Sequence, residues 1–444
     1  MPQFCAEHVT LVMMSGIKST KKWWMATGLT TVLVAGGLGA GALYNHNLRL
    51  YHDPAPTAAP PARAATTWDN NAQIVVDNAA LTAKVEQLLA DPALGISGAY
   101  IVDTATNESL INKDAGTALR PASSTKVLTA AASLLEKNIT DTLTTNVYRI
   151  DNATVVIKAS GDVWFNAQRV DQLAADIVAA VPEVDTVLVD TSVWQAPAFA
   201  QSWDPVDIDA GYIAPMEPIM LYGARIDATE GDVPRSHSPA LDVAAAIAQR
   251  VGATHYDIAG DYSVAAEQPI ASSQSPTLEW RLTQMMTNSD NVMAEAIARE
   301  LDPQNPAQHT LDVLKNAGFN TEEVALFDNS GLSDRNRITP QLLGEIMAAA
   351  VHADQSANTA QLSALISTLP VAGGTGTLAT RYNEQAGRGW VRAKTGTLSA
   401  TSALAGVVPS DNGHIYAFGI ISNDSDIQAA RGALDLVASA LKQG

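Results

Sequence analysis

The chain has 444 residues, a single cysteine and a formal net charge of −19. This length suggests two or three domains with ample core volume. Because no run of Lys or Arg occurs beyond the N-terminal tail, the acidic composition argues against nucleic acid as a partner. Cys5 has no second cysteine to pair with, so an intramolecular disulfide is excluded.

The N-terminal residues have the pattern of a membrane-directed segment. Residues 23–44 carry no charged side chain, and Lys21 and Lys22 directly precede them. Such a stretch is long enough to cross a bilayer hydrocarbon core of about 30 Å. By the positive-inside rule, residues 1–22 form a cytoplasmic tail and the rest of the chain lies on the extracytoplasmic face of the plasma membrane. We favour an uncleaved anchor. A signal peptide cleaved near residues 40–42 is the alternative, and it would give a secreted protein.

Residues 45–77 are predicted to form a linker. The stretch 53–67 consists largely of Pro, Ala and Thr, a composition that favours an extended, unpacked chain. We expect this linker to hold the remaining part of the protein away from the membrane.

From residue 78 onwards the chain alternates between two patterns. Residues 78–140 and 268–444 combine helical periodicity with alternating strands and are predicted to form one domain. Residues 141–267 contain short β-rich segments and are predicted to be an inserted region of one or two small domains. The predicted strands are 98–103, a short strand through 110, 146–150, 154–158, 186–190, 389–397, 402–408 and 414–421. The predicted helices are 78–89, 120–137, 167–181, 278–286, 292–301 and 427–441. Terminal helices packed on an antiparallel sheet indicate an α+β fold.

The segment 120–137 contains a candidate nucleophile. Pro121 is suited to a helix start, and an apolar run at helical spacing follows it. Ser123 and Lys126 are three residues apart, so both side chains project from one face of the helix. A hydroxyl beside an amine is typical of a serine nucleophile with its base. The pattern S-x-x-K is weak alone, since it occurs twice more in the N-terminal tail.

Two later motifs strengthen this interpretation. Ser289-Asp290-Asn291 lies between two predicted helices, and Lys394-Thr395-Gly396-Thr397 lies on a predicted strand. Each has an ordinary structural explanation: Ser289 alone could cap the following helix. The order S-x-x-K, S-D-N and K-T-G, each in suitable local structure, is the signature of penicillin-binding proteins and class A β-lactamases.

With these motifs the chain resembles the penicillin-recognising serine D,D-peptidases, and among them the D-alanyl-D-alanine carboxypeptidase/endopeptidase family of the penicillin-binding protein 4 type. The long interval between Lys126 and Ser289 is similar to that family's, in which large domains lie between these motifs. Further similar stretches are Asp328–Ser333, Leu369–Gly373, Gly376–Leu378 with Arg381, and Asp190–Trp194. The resemblance covers residues 78 to 444. It implies a transpeptidase-type fold, an antiparallel sheet flanked by helices, with the β-rich region inserted between the first and second motifs.

The resemblance also implies a catalytic mechanism and its residues. Ser123 would attack the penultimate D-Ala carbonyl, and Lys126, kept neutral by burial and by the nearby charge of Lys394, would accept its proton. Ser289 would relay a proton to the leaving nitrogen, and Asn291 would hold the substrate amide and Lys126. The backbone N–H groups of Ser123 and Thr397 would form the oxyanion hole.

Substrate binding is implied for a second set of residues. Lys394, Thr395, Gly396 and Thr397 form the strand that would hold the free D-Ala carboxylate. Asp190 and Arg335 would pair with the amine and carboxylate of a diaminopimelate side chain. The basic residue that usually follows G-L-S is Asp334 here, with Arg335 one place later, and residues 159–164 also depart from the family pattern. Both departures concern specificity and leave the acyl-transfer chemistry intact.

The expected partners are peptidoglycan stem peptides as substrates and β-lactam antibiotics as covalent inhibitors; no cofactor or metal is expected.

Two alternative functions remain open. A serine β-lactamase would use the same motifs, but the E-x-x-L-N stretch of class A enzymes is absent after S-D-N. A non-catalytic envelope-binding protein would retain the fold alone. The balance between carboxypeptidase and endopeptidase activity and the oligomeric state are left open.

Overall fold

The structure, a computed structural model, describes residues 78–259, 268–352 and 359–444, which belong to one compact unit. The predicted cytoplasmic tail, anchor and linker lie outside these residues, so all three stay predictions. Within the described ranges, no helix is both long and apolar enough to span a bilayer.

A five-stranded antiparallel sheet forms the centre of the peptidase part. Its strand order is β10-β11-β12-β1-β2, so strands from the two ends of the described chain lie side by side. The bounds are β1 Ile96–Asp103, β2 Glu108–Lys113, β10 Arg392–Leu398, β11 Thr401–Pro409 and β12 Ile415–Asn423. Strand β10 is at the edge of this sheet. The α+β prediction is confirmed.

Helices cover both faces of this sheet. On one face α1 (Ala79–Leu89) packs against α11 (Ile427–Gln443), and α11 packs on β11. On the other face α9 (Pro340–Val351) packs on β1 and β12. Leu434, Val437 and Leu441 of α11 are completely buried. Burial of each such side chain stabilises the fold by about 1.5–3 kcal/mol.

A bundle of helices holds the predicted nucleophile helix at its centre. Val127, Leu128 and Leu134 of α2 (Lys126–Glu136) are completely buried. Its neighbours include α6 (Leu278–Asn288), α7 (Asn291–Leu301), α8 (Pro306–Asn316) and α10 (Ser363–Thr368). A helix that is apolar around most of its circumference must be enclosed in this way. The helix is therefore a rigid support for whatever its first turn carries.

The region between the first two motifs contains a second sheet, with strand order β8-β6-β4-β3-β9. Its bounds are β3 Thr144–Arg149, β4 Thr154–Lys158, β6 Thr186–Asp190, β8 His255–Ala259 and β9 Ala271–Gln274. Strands β4, β6 and β8 are parallel, because α3 (Ala167–Ala180) and α5 (Pro239–Val251) return the chain across the sheet. A two-stranded sheet, β5 Asp162–Phe165 with β7 Ile219–Leu221, and a short helix α4 (Val206–Asp209) complete the region.

Two features of this region differ from the sequence-based expectation. Helix α5 was not predicted, although its buried residues Ala240, Val243, Ala244, Ile247 and Ala248 follow helical spacing. Strand β9 pairs with β3 although it lies beyond the predicted boundary at 267. The division into 78–140 with 268–444 and an inserted 141–267 stays a prediction.

Candidate active site

Ser123 lies on a tight turn that two glycines enclose. Residues Ala122–Thr125 form a 3₁₀ turn, and the α-helix begins at Lys126, three residues later than Ser123. A Cβ atom on Gly331 would lie 2.0 Å from the carbonyl oxygen of Ala122, and one on Gly396 would lie 2.4 Å from that of Pro121. Only glycine allows the two flanking chains to approach so closely. The turn that carries Ser123 is therefore held from both sides.

Lys126 is completely buried beneath this turn. Its Nζ donates to Ser123 Oγ at 3.1 Å, to Asn291 Oδ1 at 2.6 Å and to the carbonyl oxygen of Ser330 at 2.6 Å. Burial lowers the pKa of Lys126 to about 8, against the opposing charges of Asp328, Asp290 and Glu295. At pH 7 about one amine in ten is then neutral and able to accept a proton from Ser123. Burial, and not the charge of Lys394, is the main cause of this shift.

Two buried carboxylates hold the loop that contacts Lys126. Glu295 Oε1 accepts hydrogen bonds from the backbone N–H groups of Asn329 and Ser330, both at 2.8 Å. Asp328 accepts from the N–H groups of Gly331 and Ser333. These bonds direct the Ser330 carbonyl towards Lys126. Sequence reasoning gave neither carboxylate a role, although residues 328–333 form one of the stretches that carried the family resemblance.

Ser289 lies where helix α6 ends, just before helix α7 begins. It has φ +58°, the left-handed conformation that ends α6, and Asp290 rather than Ser289 caps α7 by accepting from Met293 N. The Ser289 hydroxyl accepts from Lys394 Nζ at 2.9 Å. Ser289 is therefore free of the capping role and faces the third motif.

Asp290 is fixed by two arginines from the stretch of chain between the first two motifs. Arg225 Nη2 lies 2.6 Å and Arg235 Nη2 lies 3.6 Å from Asp290 Oδ2. These guanidinium charges hold the pKa of Asp290 at about 2 against the effect of burial. Asn291 Nδ2 donates to the carbonyl oxygen of Tyr212, which lies in the same stretch of chain. No local pattern in the sequence indicates these long-range contacts.

The third motif lies on edge strand β10. Lys394 is completely buried, and burial together with the charge of Lys126 holds its pKa well below the usual value. Thr395 Oγ1 donates to Thr377 Oγ1 at 2.8 Å. Thr397 Oγ1 accepts from Arg431 Nη2 at 2.9 Å. The strand thus presents two hydroxyl groups whose positions are set by neighbouring side chains.

These elements enclose a cavity of about 1140 Å³. Its lining includes Ser123, Ser289, Asn291, Thr395 and Thr397. Lys126 and Lys394 are hydrogen-bonded to the hydroxyl groups of Ser123 and Ser289, respectively. Sequence reasoning did not identify several other lining residues, among them Asp207, Tyr212, Asp232, Thr377, Arg431 and Asp435. A nucleophile, a buried amine, a second hydroxyl and an edge strand together suit acyl transfer to serine.

Asp190 and Arg335 do not lie on the wall of this cavity. Asp190 is buried at the end of β6, where Lys158 Nζ lies 3.3 Å from its carboxylate. The Arg335 guanidinium carbon lies 3.9 Å from the ring centroid of Phe327. Their assignment to a diaminopimelate side chain stays a prediction. Among the described residues, no group of three or more His, Cys, Asp and Glu side chains is arranged to hold a metal ion.

Comparison with protein families and curated proteins gives a consistent result. The family described as D-Ala-D-Ala carboxypeptidase 3 (S13) matches residues 81–246 and 228–441. Carboxypeptidase DacB of Mycolicibacterium smegmatis is 38% identical, with 94% of this chain and 96% of that protein covered. A carboxypeptidase of Mycobacterium tuberculosis is 35% identical over 87% of this chain and 89% of that protein. A D-alanyl-D-alanine carboxypeptidase of an Actinomadura species is 28% identical over 81% of this chain and 84% of that protein.

Solved structures share the fold. Penicillin-binding protein 4 of Haemophilus influenzae superposes with a TM-score of 0.67 at 19% identity, over 83% of this chain and 98% of that chain. A predatory peptidoglycan endopeptidase of Bdellovibrio bacteriovorus superposes with a TM-score of 0.51 at 15% identity, over 76% and 90% of the two chains.

Proposed function

The chain belongs to the D-Ala-D-Ala carboxypeptidase 3 (S13) family, and from this premise we propose that it cleaves D-Ala-D-Ala ends or D-Ala cross-links of peptidoglycan stem peptides. The reaction proceeds through an acyl-serine intermediate. The observation that carries the proposal is the placement of Lys126 Nζ 3.1 Å from Ser123 Oγ at the entrance of a buried polar network.

In the acylation step, neutral Lys126 accepts the Ser123 hydroxyl proton while Ser123 Oγ bonds to the penultimate D-Ala carbonyl carbon. The oxyanion that forms is bound by the backbone N–H groups of Ser123 and Thr397. The C–N bond then breaks, and Ser289 passes a proton to the leaving D-amino acid nitrogen. The contact between Ser289 and Lys394 supports this proton route, because it links the hydroxyl to a second buried amine.

In the deacylation step, water attacks the ester carbonyl and the acid product leaves with Ser123 regenerated. In the endopeptidase reaction the leaving nitrogen belongs to the amino acid of a cross-link instead of to free D-Ala. A β-lactam acylates Ser123 by the same attack, but its leaving group stays attached to the acyl chain. We expect this acyl-enzyme to persist.

The position of Glu295 argues against a β-lactamase. In class A β-lactamases, a glutamate carboxylate activates the water that rapidly hydrolyses the acyl-enzyme. Both Glu295 oxygens are engaged by protein groups, one by the N–H groups of residues 329 and 330 and the other by Arg299 Nη1 at 3.1 Å. A non-catalytic binding protein is disfavoured by the complete network around Ser123 and Lys126.

The proposal is tested with a fluorescent penicillin on the purified full-length protein and on Ser123→Ala. We expect a long-lived label on the wild type and none on the variant. Label that disappears within seconds as penicillin is consumed would indicate a β-lactamase. No label on either protein would indicate the non-catalytic alternative.

We also propose that residues 23–44 anchor the protein with its catalytic part outside the plasma membrane. The uncharged segment and the preceding lysines support this proposal. Extraction of membranes with alkaline carbonate is expected to leave the full chain in the membrane fraction and to release a variant that starts at residue 45. External protease on spheroplasts is expected to degrade the catalytic part, and resistance of that part in intact spheroplasts would contradict the orientation.

A further inference from the structure

One arginine of the last helix reaches the strand of the third motif. Arg431 lies on α11, lines the cavity and donates from Nη2 to Thr397 Oγ1 at 2.9 Å. A hydroxyl that accepts from a guanidinium keeps its own hydrogen for another acceptor. The Thr397 O–H is thus oriented by Arg431 and can donate to a group in the cavity.

Arg431 differs from the other basic side chains at this site in its ion pairing and in its pKa. Arg381 makes two hydrogen bonds to Asp435, from Nε at 3.0 Å and from Nη2 at 2.6 Å. Lys126 and Lys394 are buried, and burial lowers the pKa of both amines. Within the part of the chain that the structure describes, Arg431 has no carboxylate oxygen within 4 Å.

The position of Arg431 matches one chemical group of the substrate. The terminal carboxylate carbon of a D,D-peptide is joined to the scissile carbonyl carbon through one N and one Cα, so the two carbons lie within about 4 Å of each other. The oxyanion of that carbonyl is assigned to the N–H groups of Ser123 and Thr397. A carboxylate at this distance is within reach of Thr397, to which the Arg431 guanidinium donates.

We propose that Arg431 is the permanent positive charge that recognises the free α-carboxylate of the leaving D-amino acid, directly and through the Thr397 hydroxyl. This inference rests on the proposed D,D-peptidase function and assigns a specificity-determining residue to it. A guanidinium stays charged at every pH at which the enzyme works and presents several N–H donors in a fixed plane that matches a carboxylate. The carboxylates Asp207, Asp232 and Asp435 also line the cavity, and a cation beside Thr397 offsets their repulsion of an anionic substrate.

The test compares two peptides on the full-length protein, diacetyl-L-Lys-D-Ala-D-Ala and the same peptide with a C-terminal carboxamide. We expect Arg431→Gln to lower kcat/KM on the free acid by about 10- to 100-fold, the usual loss when a hydrogen bond to a charged group is removed. The carboxamide should change by less than about threefold, so that acid-over-amide selectivity collapses. Arg431→Lys keeps the charge and should give an intermediate selectivity. Acylation by benzylpenicillin and by its methyl ester provides the same comparison without release of D-Ala.

The matched control is Arg392→Gln, which removes a positive charge from the same strand as Thr397 at an exposed position off the cavity wall. We expect it to leave the selectivity unchanged. An equal loss on acid and amide in Arg431→Gln would overturn the inference and leave Arg431 a support for the strand. If Arg392→Gln lowered the acid-over-amide selectivity as much as Arg431→Gln does, the loss would be a general effect of removing positive charge, and the inference would also be overturned. If the wild type cleaves neither peptide nor is acylated by either penicillin, the proposed function itself fails.

Discussion

Arg225, which lies between the first two motifs in the chain, and Asp290 of the S-D-N loop form an ion pair at 2.6 Å in which both side chains are almost completely buried. Asp290 lies between Ser289 and Asn291, both of which line the cavity. The ion pair therefore fixes the two residues on either side of it. The stretch of chain between the S-x-x-K and S-D-N motifs is in this way a structural part of the candidate active site.

Removal of Arg225 is expected to damage both stability and acylation. Arg225→Ala leaves the Asp290 carboxylate with the more distant Arg235 at 3.6 Å as its remaining ion-pair partner. Breaking a buried pair by removing one partner typically costs about 3–5 kcal/mol. Urea unfolding measures this loss, and the rate of labelling by fluorescent penicillin should fall at least tenfold because the S-D-N loop shifts.

The control for this prediction is Arg250→Ala, which removes an ion pair with Asp171 at the protein surface. Exposed pairs contribute about 0–1 kcal/mol. Equal unfolding midpoints for the two variants would contradict a special role of the Arg225–Asp290 pair.

The rate of acylation is expected to rise with pH through an inflection at about 8, where buried Lys126 loses its proton. The Glu295 carboxylate favours the charged form of Lys126, so Glu295→Gln should lower the pKa of Lys126 and move the inflection to lower pH. The amide oxygen of Gln can still accept the two backbone N–H bonds that position Ser330. Stopped-flow measurement of penicillin acylation between about pH 5.5 and 9.5, a range that brackets the expected inflection, determines it.

Glu136→Gln serves as the reference for this pH profile, because Glu136 lies at the opposite end of helix α2 and pairs with His309. Its inflection should coincide with that of the wild type. An inflection that stays in place or moves upward in Glu295→Gln would show that another group controls the profile.

The close approach of Gly331 to Ala122 predicts a position-specific effect of a single methyl group. In Gly331→Ala the new Cβ would overlap the carbonyl oxygen of Ala122, and φ is +84°. The left-handed backbone conformation alone costs an alanine about 1–2 kcal/mol, and the overlap typically adds about 1–3 kcal/mol. Displacement of the Ser123 turn should also reduce penicillin labelling at least tenfold.

Gly389→Ala separates the two contributions. Gly389 has a similar φ of +78°, and, its two chain neighbours aside, no atom of the described residues lies within 4 Å of the position that its new methyl group would take. The free energy of unfolding of this variant should fall by about 1–2 kcal/mol, and labelling by penicillin should be fully retained. If both alanine variants label at the wild-type rate, the packing of Gly331 against the Ser123 turn has no influence on the nucleophile.

The elements that the sequence predicted well are those whose pattern is local. The strands near 98–103 and 402–408 and the helix near 427–441 show clear periodicity, and the structure has strands and a helix at these places. Ser123 and Lys126 point to the same side because any helical turn, α or 3₁₀, brings residues three apart together. Helix α5 is absent from the prediction although its apolar spacing is present in the sequence, because residues 141–267 were interpreted mainly as short β-rich segments with a single helix at 167–181.

By itself, the sequence indicated the acyl-transfer chemistry of this protein, since its residue types and short spacings are typical of a serine nucleophile and its amine. The order of its motifs carries the family resemblance that implies a carboxylate-binding strand. Only the tertiary structure decided how these groups meet. Residues far apart in the chain meet in three contacts: the hydrogen bond of Lys394 to Ser289, the ion pair of Arg225 with Asp290, and the hydrogen bond of Arg431 to Thr397. Such contacts arise from the packing of whole elements, and no periodic signal in the sequence encodes them.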